Sequence, residues 1–141
     1  MANLPYLRAF GVGTSCGLRA FTAPAVTLLE AGSTWGGPVA VAAAAELVYD
    51  KLPFAPARTK PSSLAVRIVS GGFCGATVAG LCAGSKALGA LCGAAAAVAA
   101  AFSGYTIRRY LTVEIGWADF PVALVEDAIA FVAARNANAI D

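Results

Sequence analysis

The sequence predicts an all-α protein: a polytopic integral membrane helical bundle of about five transmembrane helices. Three observations lead there. The 141-residue chain is 59% hydrophobic and only 13% charged, with a mean hydropathy of +0.72, far from the balance of a soluble domain. Its apolar residues fall into stretches of helix length, separated by turn-like Gly and Pro. Two of those stretches, 64–83 and 87–107, lack the polar stripe that a surface helix of a soluble Ala-rich bundle needs. A crossing takes roughly 20 apolar residues, so about five fit into one transmembrane domain over 1–141.

The first expected crossing, 8–29, is apolar except for Arg19, a cation near its middle and hence in a costly place. Pro24 should break or kink it, because proline removes a backbone donor and clashes with the preceding turn. A plain kink is one reading; a broken helix whose freed amides face an anion is the other. Thr22 stands ready to bond a released carbonyl. The second crossing, 38–52, enters through Gly36-Gly37-Pro38, is short, and ends on Glu46 and Asp50. These acids are four residues apart and share one helix face. Asp50-Lys51 can also be read as an interfacial pair with the lysine stem snorkelling.

Residues 53–62 hold three prolines and two cations and form a loop, expected to be cytoplasmic. In the third crossing, 64–83, which carries Arg67 near its start, Gly71 and Gly75 begin a series of small-residue spacings that Gly80 and Gly84 continue. Gly89 and Gly93 repeat the pattern in the fourth, 87–107, which is uncharged and ends at Arg108-Arg109. Such spacings let helices approach closely, within the chain or against a second copy. The fifth, 121–134, is short, with Glu126 and Asp127 near its middle. Tyr6, Trp35, Tyr49, Tyr105, Tyr110 and Trp117 cluster near segment ends, as an aromatic belt does.

Five crossings with most Lys and Arg at inner ends give a multi-pass protein of the cell inner (plasma) membrane, N-terminus cytoplasmic and C-terminus outside. Segments one and two resemble four and five in pattern. Ser15-Cys16-Gly17-Leu18-Arg19 parallels Phe102-Ser103-Gly104-Tyr105-Thr106, and each is followed by a short segment opening on Pro38 or Pro121. With a third crossing between them, the pairs form an inverted repeat, an arrangement transporters build around a midplane site.

Composition removes most enzymes. No histidine exists, so His bases, His metal sites and Ser-His-Asp or Cys-His triads are excluded, and no enzymatic activity is expected. Cys16, Cys74, Cys82 and Cys92 form no C-x-x-C pair and read as small packing residues, so no metal or other cofactor is expected. A net charge of +2 without a basic patch argues against nucleic acid. No typical signal peptide is read, because Arg19 interrupts its apolar core.

The candidate pathway residues are therefore Arg19, Thr22, Pro24, Glu46, Asp50, Glu126 and Asp127. Arg19 opposite Glu126 or Asp127 would make a buried ion pair, leaving other carboxylates to bind or relay a cation or proton. A purely structural ion pair is the competing reading. The expected function is a transporter-like or channel-like protein passing a small solute or ion. The alternative is a non-catalytic structural or accessory subunit of a larger membrane complex. The expected partners are the lipid bilayer and a homo-oligomer or that larger complex.

Three strings carry a resemblance: Gly17-Leu18-Arg19-Ala20-Phe21-Thr22-Ala23-Pro24, then Glu46-Leu47-Val48-Tyr49-Asp50-Lys51-Leu52-Pro53 with Pro56-Ala57-Arg58-Thr59, and Val125-Glu126-Asp127-Ala128. They resemble motifs of the bacterial membrane proteins catalogued as domain of unknown function 4126, over nearly the whole chain. The resemblance implies membrane architecture and adds Lys51 and Arg58 to the candidates; it implies no mechanism.

Overall fold

The computed structural model describes residues 3–50, 52 and 59–139. Among them stand six α-helices: α1 (Leu4–Leu18), α2 (Thr22–Glu30), α3 (Gly36–Tyr49), α4 (Pro61–Leu81), α5 (Lys86–Arg109) and α6 (Asp119–Asn138). A π-helical turn, Tyr110–Glu114, extends α5. No strand occurs among the described residues.

Each helix starts where its sequence allows. Pro5 and Pro61 sit in the first turns of α1 and α4, where a missing N–H costs nothing. Ser85 caps α5 by accepting a hydrogen bond from Leu88 N at 3.4 Å. Asp119 places a carboxylate in the first turn of α6, against the positive end of its dipole.

The core is a three-helix contact of unusually close approach. A methyl group on Gly71 would lie 2.6 Å from the Gly93 carbonyl oxygen, and Gly13 meets Gly93 as well. Gly75 faces Gly89, which fixes α4 and α5 as antiparallel neighbours. The small-residue faces of α4 and α5 are thus consumed inside the molecule, where the sequence had left a second copy open as their partner. Gly80 and Gly84 lie outside that seam: Gly80 meets the Lys86 side chain and Gly84 meets Pro5.

Contacts along α1 set its direction. Ser85 N donates to Tyr6 Oη at 3.3 Å, Gly13 meets Gly93, and Gly17 meets Ala97, so α1 runs parallel to α5. Gly11 meets Ala137, Ser15 Oγ donates to Ala130 O at 2.7 Å, and Arg19 reaches Asp127, so α1 runs antiparallel to α6.

Two expectations are corrected here. The single crossing over 8–29 is two helices. Arg19 ends α1 in an extended conformation (φ −141°, ψ 115°), and α2 resumes with Ala25 N donating to Phe21 O at 3.0 Å. Pro24 causes the break one turn upstream of itself, because its ring replaces the amide that would have bonded the Ala20 carbonyl. α2 then folds back: Ala23 joins Val12 and Cys16 in one buried cluster, with Val26 packed on it. Because this segment doubles back, the start of α1 and the end of α6 lie at one end of the bundle, where five crossings would have separated them. The inverted repeat of helices 1–2 against 4–5 is not formed either: it requires segments one and four to oppose each other, and α1 and α5 are parallel.

Elsewhere the boundaries shift by a few residues: Gly36–Tyr49 for 38–52, Pro61–Leu81 for 64–83, and Lys86–Arg109 for 87–107. α6 is longer than the expected 121–134. α4 and the continuous segment Lys86–Glu114 are long and apolar enough to cross a membrane. α3 is apolar, but its 14 residues span only about 21 Å.

Candidate functional site

The break between α1 and α2 exposes backbone groups that a continuous helix would satisfy internally: carbonyls at the end of α1 and amides at the start of α2. Each set finds a charged side chain from elsewhere. Arg67, on the second turn of α4, donates through Nη1 to Gly17 O at 2.9 Å and to Cys16 O at 3.5 Å. Glu46, near the end of α3, accepts from Ala20 N at 2.8 Å and Phe21 N at 2.9 Å, one oxygen for each amide. A cation therefore faces the negative end of α1 and an anion the positive end of α2. The two side chains lie 3.7 Å apart, which ties α3 and α4 together across the break.

Arg19 itself is 1% exposed. Its Nη1 donates to Asp50 Oδ2 at 2.5 Å and its Nε to Asp127 Oδ1 at 2.6 Å. One guanidinium thus joins the end of α3 to the middle of α6, and its planar fork suits two carboxylates at once. Asp50 and Asp127 are half-buried, so the cluster is dry at Arg19 and opens slightly on its acidic side.

A second group lies nearer the start of α6. Arg108, at the end of α5, makes two bonds to Asp119, Nε–Oδ1 at 2.7 Å and Nη2–Oδ2 at 2.6 Å, and its Nη1 lies 3.8 Å from Glu126 Oε2. Glu126 is buried, and with Arg108 it lines a half-open cleft of about 340 Å³ between α1, α5, the π-helical turn and α6. Consecutive residues of one helix therefore serve two places: Asp127 turns to Arg19 and Glu126 to the cleft.

Of the residues singled out from sequence, Arg19, Glu46, Asp50 and Asp127 meet at the break. Glu126 stands in the cleft wall. Pro24 is buried in the first turn of α2 and acts by creating the break, while Thr22, half-buried, opens that helix. Asp50 is drawn to Arg19, which its interfacial reading did not anticipate. Lys51 and Arg58, with most of the 53–62 loop, lie outside the described residues. Arg67, Arg108 and Asp119 were missing from the candidates. Arg67 carried the same signal as Arg19, a cation inside an apolar stretch, but its place near a segment end had put it among the interfacial charges.

Compared with known proteins, the chain matches no family model, no curated protein and no solved structure.

Proposed function

We propose that this chain is a small multi-pass protein of the cell inner membrane, transporter-like or channel-like, passing a small solute or ion with the help of its buried Arg and acidic residues. One observation carries the reading: charged side chains are buried among the small apolar residues of the core, while large apolar side chains cover the outside. Arg19, Arg67 and Glu126 are buried, while Val69 is 71% exposed, Val41 70% and Leu91 67%. Water would penalise that distribution on both counts, and lipid reverses the penalty for the outer surface.

On this reading α4, α5 and α6 cross the bilayer, α3 crosses together with the segment that follows it, and the α1–α2 hairpin is re-entrant, its tip at Arg19 bonded to the end of α3. Irregular backbone within a membrane is tolerated where protein surrounds it, and broken helices of this kind gather ions in transporters. Lys60, Arg108 and Arg109 flank the end opposite the start of α1 and the end of α6, and Lys51 and Arg58 fall between α3 and α4 in sequence. Arg8, Lys86 and Arg135 belong to the terminal half. The positive-inside rule, which gave a cytoplasmic N-terminus for five crossings, favours both termini outside for four. The resemblance to domain of unknown function 4126 is part of the same proposal, since Arg19, Glu46, Asp50 and Asp127 all come from its three strings.

Reconstituted proteoliposomes test the transport reading. Wild-type protein should carry a flux of protons or small ions that Glu126→Gln and Asp50→Asn abolish while both variants still insert; unchanged flux in both variants overturns it. The accessory-subunit reading draws on the dryness of the Arg19 cluster, which a purely structural ion pair would share. Stoichiometric partners retained after mild solubilisation would favour that alternative.

A further inference from the structure

We infer that the buried thiols of Cys16 and Cys74 form a two-coordinate site for a soft monovalent metal ion, of which Cu(I) is the biological example. The inference goes beyond the transport reading and needs only the folded core.

The fold makes the pair, and no spacing in the sequence announces it. Cys16 stands on the last turn of α1 and Cys74 in the middle of α4. Both are wholly buried in one cluster with Val12, Ala23 and Val78. Their side chains bond to each other across the α1–α4 contact, and neither is held in a disulfide. Thiolates are soft donors that favour Cu(I) over hard cations. A structural Zn²⁺ site asks for four ligands. Among the described residues no third Cys, His, Asp or Glu completes a group that could hold a metal. An ion satisfied by two sulfurs is what remains.

A second observation points the same way. Thr27 Oγ1, on α2, lies against the Cys74 side chain and is buried, and no well-formed hydrogen bond reaches it. A buried hydroxyl in that state is costly. A thiol is a weak acceptor and a thiolate a stronger one, so the hydroxyl gains a partner when the ion binds. On the other side, Arg67 Nη1 lies 3.5 Å from the Cys16 carbonyl oxygen and 2.9 Å from that of Gly17. Glu46 shares this guanidinium at 3.7 Å and is itself held by the amides of Ala20 and Phe21. Binding involves no redox change: two S–H bonds break, two S–Cu bonds form, and two protons leave to the medium. The product carries one net negative charge, which the neighbouring guanidinium favours.

Cys82 and Cys92 are partly exposed and could bind copper on their own account, so the full chain carrying Cys82→Ser and Cys92→Ser is used. Reduced and kept without oxygen in detergent micelles, it is titrated against Cu(I) held by bicinchoninate. It should withdraw one Cu(I) per chain, and X-ray absorption should find two sulfur neighbours on the metal. Ag(I) should compete for the ion's place, and Zn²⁺ should not. Cys74→Ser should weaken binding by about a hundredfold or more, and Thr27→Val, which keeps both thiols, by about tenfold.

No withdrawal of copper, or copper with nitrogen and oxygen neighbours, overturns the inference. So does unchanged affinity in both variants. The uptake and the sulfur neighbours decide the matter even where Cys74→Ser fails to fold. A protein that binds Cu(I) without passing ions loses the transport reading and keeps the site. One that passes ions and ignores Cu(I) does the reverse.

Discussion

Arg19 shows how much a single side chain can hold in this interior. Its guanidinium bridges Asp50 and Asp127, and these carboxylates come from helices that the backbone contacts hold less tightly than α4 and α5. Removing one partner of a buried pair leaves the other charges stranded, typically at a cost of about 3–5 kcal/mol. Arg19→Ala should therefore lower the stability of the folded protein by an amount of that order, read from denaturant unfolding in mixed micelles. A change below about 1 kcal/mol would mean that water already reaches both carboxylates. Arg19 was legible as sequence, because a cation inside an apolar stretch is rarely incidental. Its partners were only half legible. Asp127 was one of two expected, but Asp50 was not, since its neighbour Lys51 offered an interfacial explanation.

At the scale of elements, α1, α4 and α5 form the rigid part. Their seam is backbone against backbone at Gly13, Gly71, Gly75, Gly89 and Gly93, and nothing larger than hydrogen fits there. Gly93→Ala should destabilise by about 1–3 kcal/mol or displace α4, because its added methyl would overlap the Gly71 carbonyl. Gly72→Ala, one residue away from that seam, meets nothing closer than 3.7 Å and should instead gain up to about 1 kcal/mol of helix propensity. Thermal unfolding of the two variants side by side would check both signs. The Gly spacing was plain in the sequence, while its partner was not, since spacing marks a close-packing face without saying what packs on it. Pro24 marked a place for a kink or a break, but the hairpin was not read. Hydropathy reads a turn of three residues, Arg19 and two apolar ones, as a continuous segment, and only Glu46 and Arg67 waiting at the two severed ends make the reversal tenable. The π-helical turn left no trace in composition, because one extra residue per turn changes no hydropathy.

For the molecule as a whole, the decisive fact is that the start of α1 and the end of α6 lie at one end of the bundle. An even count of crossings follows on the membrane reading, against the odd count expected from five apolar stretches. Reporter fusions at the two termini should respond identically to a membrane-impermeant label or quencher; opposite responses would restore five crossings and dissolve the re-entrant hairpin. The helical class and the apolar surface could be read from composition alone. Chain direction could not, because it depends on which glycine meets which.

Among the described residues, the buried cations in the network are arginines. A lysine can surrender its proton when its surroundings demand it, and a guanidinium does not. Each guanidinium also presents a planar fork of donors where an ammonium presents a point charge. Exchanging Arg19 for lysine would keep the sign and lose one of the two helices it joins: the joints of this bundle depend on shape as much as on charge.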